Sequence, residues 1–291
     1  MIVYDHEMIT TNYVTLHVVL AGPREGTPVI LLHGFPEFWY GWRHQIDFLA
    51  ERGYRVIVPD QRGYNTSEKP QKVEAYRIGE LARDVVGLMD ALGYSQTYLV
   101  GHDWGAAVAW WVATRFPERL KKLAILNVPY PTLVARAYRE GNMQQTLKSW
   151  YIFFFQIPWL PERLLSANST RGLEQALRGS SKPDTFSEQD YAEYRNAWAQ
   201  PGAVTGMLNW YRAARYIAGR SSGGQRGPLR ISVPTLILWG EQDVALEKSL
   251  AQKSVEICEN GQLIFFPNAT HWVQHDESEA VNQHLAAFLI G

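Results

Sequence analysis

The chain has 291 residues, 46 % of them hydrophobic and 13 % aromatic, which suits a substantial core and argues against disorder. Its 28 Lys and Arg against 29 Asp and Glu leave a net charge of −1, without the basic excess that a nucleic-acid binder carries. Cys258 is the one cysteine in the sequence, which excludes an internal disulfide and any multi-cysteine zinc centre.

Residues 1–7 mix charges early and lack the basic and then apolar pattern of a secretory leader. The most apolar stretch, residues 151–160, is broken by Gln156 and Pro158 and falls short of the roughly 20 residues a membrane helix needs. The expectation is a cytoplasmic protein with neither membrane nor nucleic acid as partner; nothing in the sequence sets an oligomeric state. Residues 13–20 alternate in polarity and suit an antiparallel edge strand. Aliphatic runs follow at 28–32, 55–58, 97–100, 123–126, 235–239 and 262–266, apolar on both faces as strands of a mostly parallel sheet are. Helix-period segments at 78–92, 104–116 and 277–289 lie between or after them. Regular alternation of this kind predicts an α/β fold with a doubly wound sheet.

The rhythm breaks once, between the strand run at 123 and the next at 235. The interval is rich in Trp, Tyr, Phe and Arg, is punctuated by Pro158, Pro161, Pro183 and Pro201, and ends in the turn-forming stretch 221–228. It reads as a helical cap over residues 130–230, inserted into a core made of residues 1–129 and 231–291. A cap over the carboxyl ends of the strands would enclose the place where open α/β sheets bind ligands.

The run at 97–100 continues as Gly101-His-Asp-Trp-Gly105 and then at once into an apolar helix. Small residues at 101, 105 and 106 let a strand turn sharply into a helix, the nucleophile elbow of Gly-x-Ser-x-Gly with Asp103 in place of serine. An aspartate there also suits a plain helix N-cap; glycines at both −2 and +2, directly after a buried strand, favour the nucleophile. A carboxylate is already anionic at neutral pH and can attack an sp³ carbon that bears a leaving group, forming an ester on the protein. Hydrolysis of that ester needs a base for water and an oxyanion hole. His271 follows the run at 262–266, and Asp243 follows the run at 235–239, giving the order nucleophile, acid, histidine that this kind of site uses. The backbone N–H groups of Trp104 and of Phe35, in the loop His33-Gly-Phe-Pro36, are the expected oxyanion donors. The Phe35–Pro36 bond is a candidate for the cis form, and His33 is read as a buttress of that loop.

Taken together, His33-Gly-Phe-Pro-Glu37, Gly101-His-Asp-Trp-Gly105, the segment 239–246 and His271 resemble the epoxide hydrolases of the α/β-hydrolase superfamily. The resemblance spans nearly the whole chain, and Trp42-Arg-His-Gln45 and Asp60-Gln-Arg-Gly-Tyr64 fit it as structural segments. It departs at Asn65, where the family commonly has Gly, and Asn tolerates the left-handed turn. The resemblance implies an α/β-hydrolase fold with two cap tyrosines that donate to the epoxide oxygen, matched here by Tyr151 and, more closely, Tyr211. It also implies a small apolar epoxide and water as reactants, with no metal or cofactor, and a pocket formed by Phe35, Trp104 and Trp210. Haloalkane dehalogenases share the fold, an Asp nucleophile and, in many, the tryptophan after it, here Trp104, but often carry Asn where this chain has Phe35; others use a cap tryptophan, for which Trp150, Trp159, Trp198 and Trp210 are the candidates. Fluoroacetate dehalogenases place arginines where this chain has Trp104 and Ala107. A non-catalytic receptor on the same fold usually lacks a triad member, and this chain has all three.

Overall fold

The computed structural model describes residues 2–214, 216 and 230–290. One sheet of eight strands runs in the order β1-β2-β4-β3-β5-β6-β7-β8. The strands are β1 (Tyr4–Thr11), β2 (Val14–Ala21), β3 (Thr27–Leu32), β4 (Tyr54–Pro59), β5 (Thr97–His102), β6 (Leu120–Leu126), β7 (Thr235–Gly240) and β8 (Gly261–Phe266). β2 pairs antiparallel with β1 on one side and β4 on the other, while β3 to β8 are parallel. Val29, Ile30, Leu31 and Leu32 of β3 are fully buried, because helices cover both faces and every side chain along a central strand meets protein.

The helices of the core follow the same logic. In α1 (Arg43–Glu51) and α2 (Ile78–Ala91) one stripe is buried, for example Ile78, Leu81, Val85 and Leu88 of α2, with Glu80 and Arg83 outside it. In α3 (Trp104–Arg115) small and apolar residues are buried nearly all round, because the helix is wedged between the sheet and α2. The chain then passes from β6 into α4 (Pro131–Arg139), α5 (Met143–Lys148), α6 (Trp150–Phe154), α7 (Leu160–Ser180), α8 (Glu188–Trp198) and α9 (Ala203–Ala213). It returns to the sheet at β7 and finishes with α10 (Ser249–Val255), α11 (Val273–Asp276) and α12 (Ser278–Leu289). Pro161 opens α7, where a missing N–H costs nothing, whereas Pro158, Pro183 and Pro201 lie between helices. The expected return loop at 221–228 lies outside the described residues. Among the described residues no helix is long and apolar enough to cross a membrane.

One expectation changes. The strand at 14–21 is not the edge; β1 lies outside it, joined by an eight-pair antiparallel ladder. Most β1 side chains face solvent, so the strand has no hydrophobic alternation and its backbone ladder alone defines it. Residues 42–45, read as structural, form the N-cap and first turn of α1, whose sequence is mostly polar around Ile46, Leu49 and Ala50.

The strand order places the ligand site. From β3 the chain goes first to β4 on one side and later to β5 on the other, so a crevice opens beyond the carboxyl ends of β3 and β5. The loops after β3, β5, β7 and β8 carry Phe35, Asp103, Asp243 and His271 to that edge.

Candidate active site

Asp103 stands between β5 and α3 with φ +50° and ψ −124°, a conformation that costs a non-glycine residue energy. It is the N-cap residue of α3, yet its side chain makes no cap hydrogen bond. Instead Phe35 N–H donates to Oδ1 at 2.7 Å, and His271 Nε2 lies 3.4 Å from Oδ2. Glycine is required by close approach at Gly105 and, in the loop after β3, at Gly34. A Cβ at Gly105 would fall 2.2 Å from the Leu32 carbonyl oxygen, and one at Gly34 would fall 2.3 Å from Asp103 Oδ1. The plain N-cap reading is therefore wrong for this aspartate, because its carboxylate is turned into the site.

His271 Nδ1–H donates to Asp243 Oδ2 at 2.7 Å. Asp243 Oδ1 accepts the backbone N–H groups of Ala245 at 2.7 Å and Leu246 at 2.9 Å, and Oδ2 also accepts the Asn127 amide at 2.8 Å. Burial opposes charge on this histidine, but Asp243 and then Asp103 outweigh it and raise its pKa to about 10. Burial likewise pushes the Asp103 and Asp243 carboxyls upward, and contact with His271 more than reverses this, so both titrate below the usual aspartate range. At rest the centre is an imidazolium between two carboxylates.

The loop that carries Phe35 is braced from below. His33 is fully buried, its Nε2 accepts Gln61 N–H at 3.1 Å, and burial holds its pKa down, as suits a neutral buttress. The Phe35–Pro36 peptide is cis, and Asn65 takes φ +41° in the neighbouring turn. Trp104 N–H is the first in α3, where a helical N–H has no intrahelical acceptor.

The cap supplies an aromatic cage. Tyr211 lies 5.2 Å from Phe35, 5.1 Å from Trp104, 5.8 Å from Tyr151 and 4.9 Å from Phe155, centroid to centroid. Burial and the negative charge of Asp103 raise the pKa of both Tyr151 and Tyr211, so each phenol keeps its proton at neutral pH. Phe155, which the sequence did not single out, also packs on Phe35 and Tyr151. Trp210 stands behind Trp104 at 5.9 Å with its indole N–H donating to the Arg62 carbonyl at 3.0 Å, so it supports the cage from behind. None of the four tryptophans named for a halide site has its N–H free there. Trp198 donates to the Pro36 carbonyl, and Trp150 and Trp159 are 64 % and 67 % exposed.

Two further groups escaped the sequence reading. Asn127, at φ +51° directly after β6, joins Asp243 to Gly240, whose N–H donates to Asn127 Oδ1 at 2.8 Å. A polar residue immediately beyond a central strand was its signal. Glu37 lies fully buried beneath the site, accepting Tyr194 O–H at 2.7 Å from the cap and His275 Nε2–H at 2.7 Å. Burial raises its pKa, yet His275 and His102 hold it well below the usual glutamate range. His102, 3.2 Å from Glu37, reaches the His271 carbonyl oxygen at 2.9 Å, so a polar chain links the cap to the catalytic loop.

The family model described as the alpha/beta hydrolase fold matches residues 27–278. The AB hydrolase superfamily protein YfhM of Bacillus subtilis is 44 % identical over 97 % of each chain. Epoxide hydrolase A of Mycobacterium tuberculosis is 32 % identical over 98 % of this chain and 97 % of its own. The chain belongs to the α/β-hydrolase superfamily, among the epoxide hydrolases. In three dimensions the hydrolase is similar to the Bacillus megaterium epoxide hydrolase in complex with an inhibitor, with a TM-score of 0.88 and 32 % identity over 97 % and 99 % of the two chains.

Proposed function

We propose that this hydrolase opens an epoxide to a vicinal diol through an ester on Asp103, with a small apolar, aryl-bearing epoxide as its preferred substrate class. The observation that carries the reading is an N-capping aspartate that caps nothing: it faces His271 on one oxygen and Phe35 N–H on the other, beneath two protonated phenols.

Because Phe35 holds Oδ1, Oδ2 is the oxygen that attacks the ring carbon. The C–O bond of the ring breaks, and Tyr151 and Tyr211 hydrogen-bond to the alkoxide that forms. Esterification removes the negative charge of Asp103, one of the two carboxylates that keep His271 protonated. His271 then releases a proton, which balances the one gained by the alkoxide through the phenols and solvent. Neutral His271, oriented by Asp243, takes a proton from water as its oxygen adds to Cγ of the ester. The resulting oxyanion sits at Oδ1 between the N–H groups of Phe35 and Trp104. Collapse expels the second diol oxygen, which regains a proton, and the aspartate and imidazolium return. The aromatic cage supports an apolar substrate, and the four cap tryptophans, with N–H groups occupied in Trp198 and Trp210 and side chains exposed in Trp150 and Trp159, argue against a cap halide site.

A single turnover in ¹⁸O water tests the scheme. The label is expected in the Asp103 carboxylate, and His271→Gln is expected to accumulate the ester, read as a mass increase on intact protein. Label confined to the diol on the first turnover would mean direct attack by water and end the proposal.

A further inference from the structure

The loop that carries Asp243 is held by two different parts of the molecule. Ahead of Asp243 the core holds it: Glu241 N–H donates to the Phe266 carbonyl at 3.0 Å and Gln242 N–H to the Ala269 carbonyl at 2.9 Å. From Asp243 to Glu247 the cap helix α5 holds it. Gln145, fully buried, donates through Nε2 to the Ala245 carbonyl at 3.0 Å and accepts Glu247 N–H on Oε1 at 3.0 Å, so its amide grips the loop at two points. Lys148, three residues further along α5, donates through Nζ to the Asp243 carbonyl at 2.6 Å and the Leu246 carbonyl at 3.3 Å. These contacts fix the backbone on which Asp243 Oδ1 accepts the N–H groups of Ala245 and Leu246, and that grip leaves Oδ2 turned to His271 Nδ1.

Helix α5 also leads directly into α6, which bears Tyr151. At the junction the buried Ser149 Oγ accepts Gln145 Nε2–H at 3.0 Å and Tyr138 O–H at 2.6 Å. One short stretch of the cap therefore adjoins both halves of the reaction, the phenol that serves ring opening and the acid that orients the base for ester hydrolysis.

We propose that Gln145 and Lys148 are positioning residues for Asp243: through them α5 aims the carboxylate at His271, so hydrolysis of the ester depends on the seating of the cap. This role rests on the ester scheme above and extends it from core residues to the cap. Without the two side chains, the carbonyls of Asp243, Ala245 and Leu246 and the N–H of Glu247 lose these partners. Backbone groups left unpaired away from water are costly, so the loop shifts to regain partners and the carboxylate shifts with it. Asn127, on the core, still holds Oδ2 at 2.8 Å, which makes the loss partial.

The test compares the wild-type protein with Lys148→Met, which keeps the aliphatic stem and removes the ammonium, and with Gln145→Met, which keeps the volume. Each is followed in single turnover of an aryl epoxide and by imidazole NMR titration. Displacing a catalytic group by about 1 Å can cost about 10²-fold. With Asn127 still in place, ester hydrolysis is expected to slow by about tenfold and ester formation by less than about threefold, so that ester accumulates on the intact protein. The His271 transition, near 10 in the wild type, is expected to fall in both variants. Lys148→Arg, which can donate to the same carbonyls, is expected to restore both readouts. Lys148 is half-buried, so Lys148→Met decides the question where the buried Gln145→Met loses the fold. Both steps slowed alike, or hydrolysis and the His271 transition both at wild-type values, would show that α5 is packing alone and overturn the proposal. The titration needs no substrate, so it judges the placement of Asp243 even if His271→Gln forms no ester, a result that would instead end the ester scheme.

Discussion

Replacing Tyr211 by Phe removes one oxygen and leaves its packing in place, so the consequence can be worked out. The ring keeps its contacts with Phe35, Trp104, Tyr151 and Phe155 at 4.9 to 5.8 Å. The melting temperature should therefore move by less than about 2 °C. What is lost is one of two donors to the oxygen that becomes an alkoxide. Removing one preorganised donor from such a site costs about 10²–10³-fold, or roughly 3–4 kcal/mol in the barrier. Since Tyr151 still donates, ester formation should slow by about 10²-fold, the lower end of that range. Ester hydrolysis, which depends on His271 and the oxyanion loop, should change by less than about fivefold, under about 1 kcal/mol. Stopped-flow tryptophan fluorescence in single turnover resolves the two steps, because Trp104 lies 5.1 Å from Tyr211. Ester formation within threefold of wild type would show that the phenol is only packing. Undiminished halide release from a haloalkane in the same variant would move the reaction to the dehalogenase class.

Three other perturbations probe the supports of the site. Asn127→Ala deprives Asp243 of a hydrogen bond and leaves the buried Gly240 N–H unpaired. It should cost about 1–3 kcal/mol in urea denaturation and slow ester hydrolysis more than ester formation; an unchanged midpoint would contradict this. Tyr194→Phe removes the donation from the cap to buried Glu37. A loss of about 1.5–3 kcal/mol, as for a hydrogen bond to a charged group, should appear in the denaturation midpoint. An imidazole NMR titration should find His271 charged at neutral pH, with its transition near 10, and Asp103→Asn should lower that transition. Since the folded value lies above the unfolded one of 6.5, this residue's contribution to stability is full below pH 6.5. It is lost as pH rises from there through about 10. A His271 transition at or below 6.5 in the wild-type protein would remove the imidazolium from the resting state.

Local chemistry made much of this protein legible in its sequence. Aliphatic runs such as 28–32 can be buried on both faces only between layers of helices, so the parallel strands and their alternation with helices follow from composition alone. The turn at 101–105 is local at Gly101, whose missing side chain lets the strand close on Gly105 and Ala106, whereas Gly105 makes room for the Leu32 carbonyl of distant β3. Contacts between distant segments settled the remainder. The outermost strand has few buried side chains, so its place depends on a ladder to its neighbour. Phe155 enters the aromatic cage while Trp210 stands behind it. That outcome depends on how the end of α6 meets α9, where Gln156 donates to the Tyr211 carbonyl and Arg212 to the Phe155 carbonyl. Glu37 gains its role only when strands, cap and terminal helices surround it with His102, Tyr194, His275 and Gln274. Periodicity reports which residues avoid water; it does not say which partner from another part of the chain will be facing them.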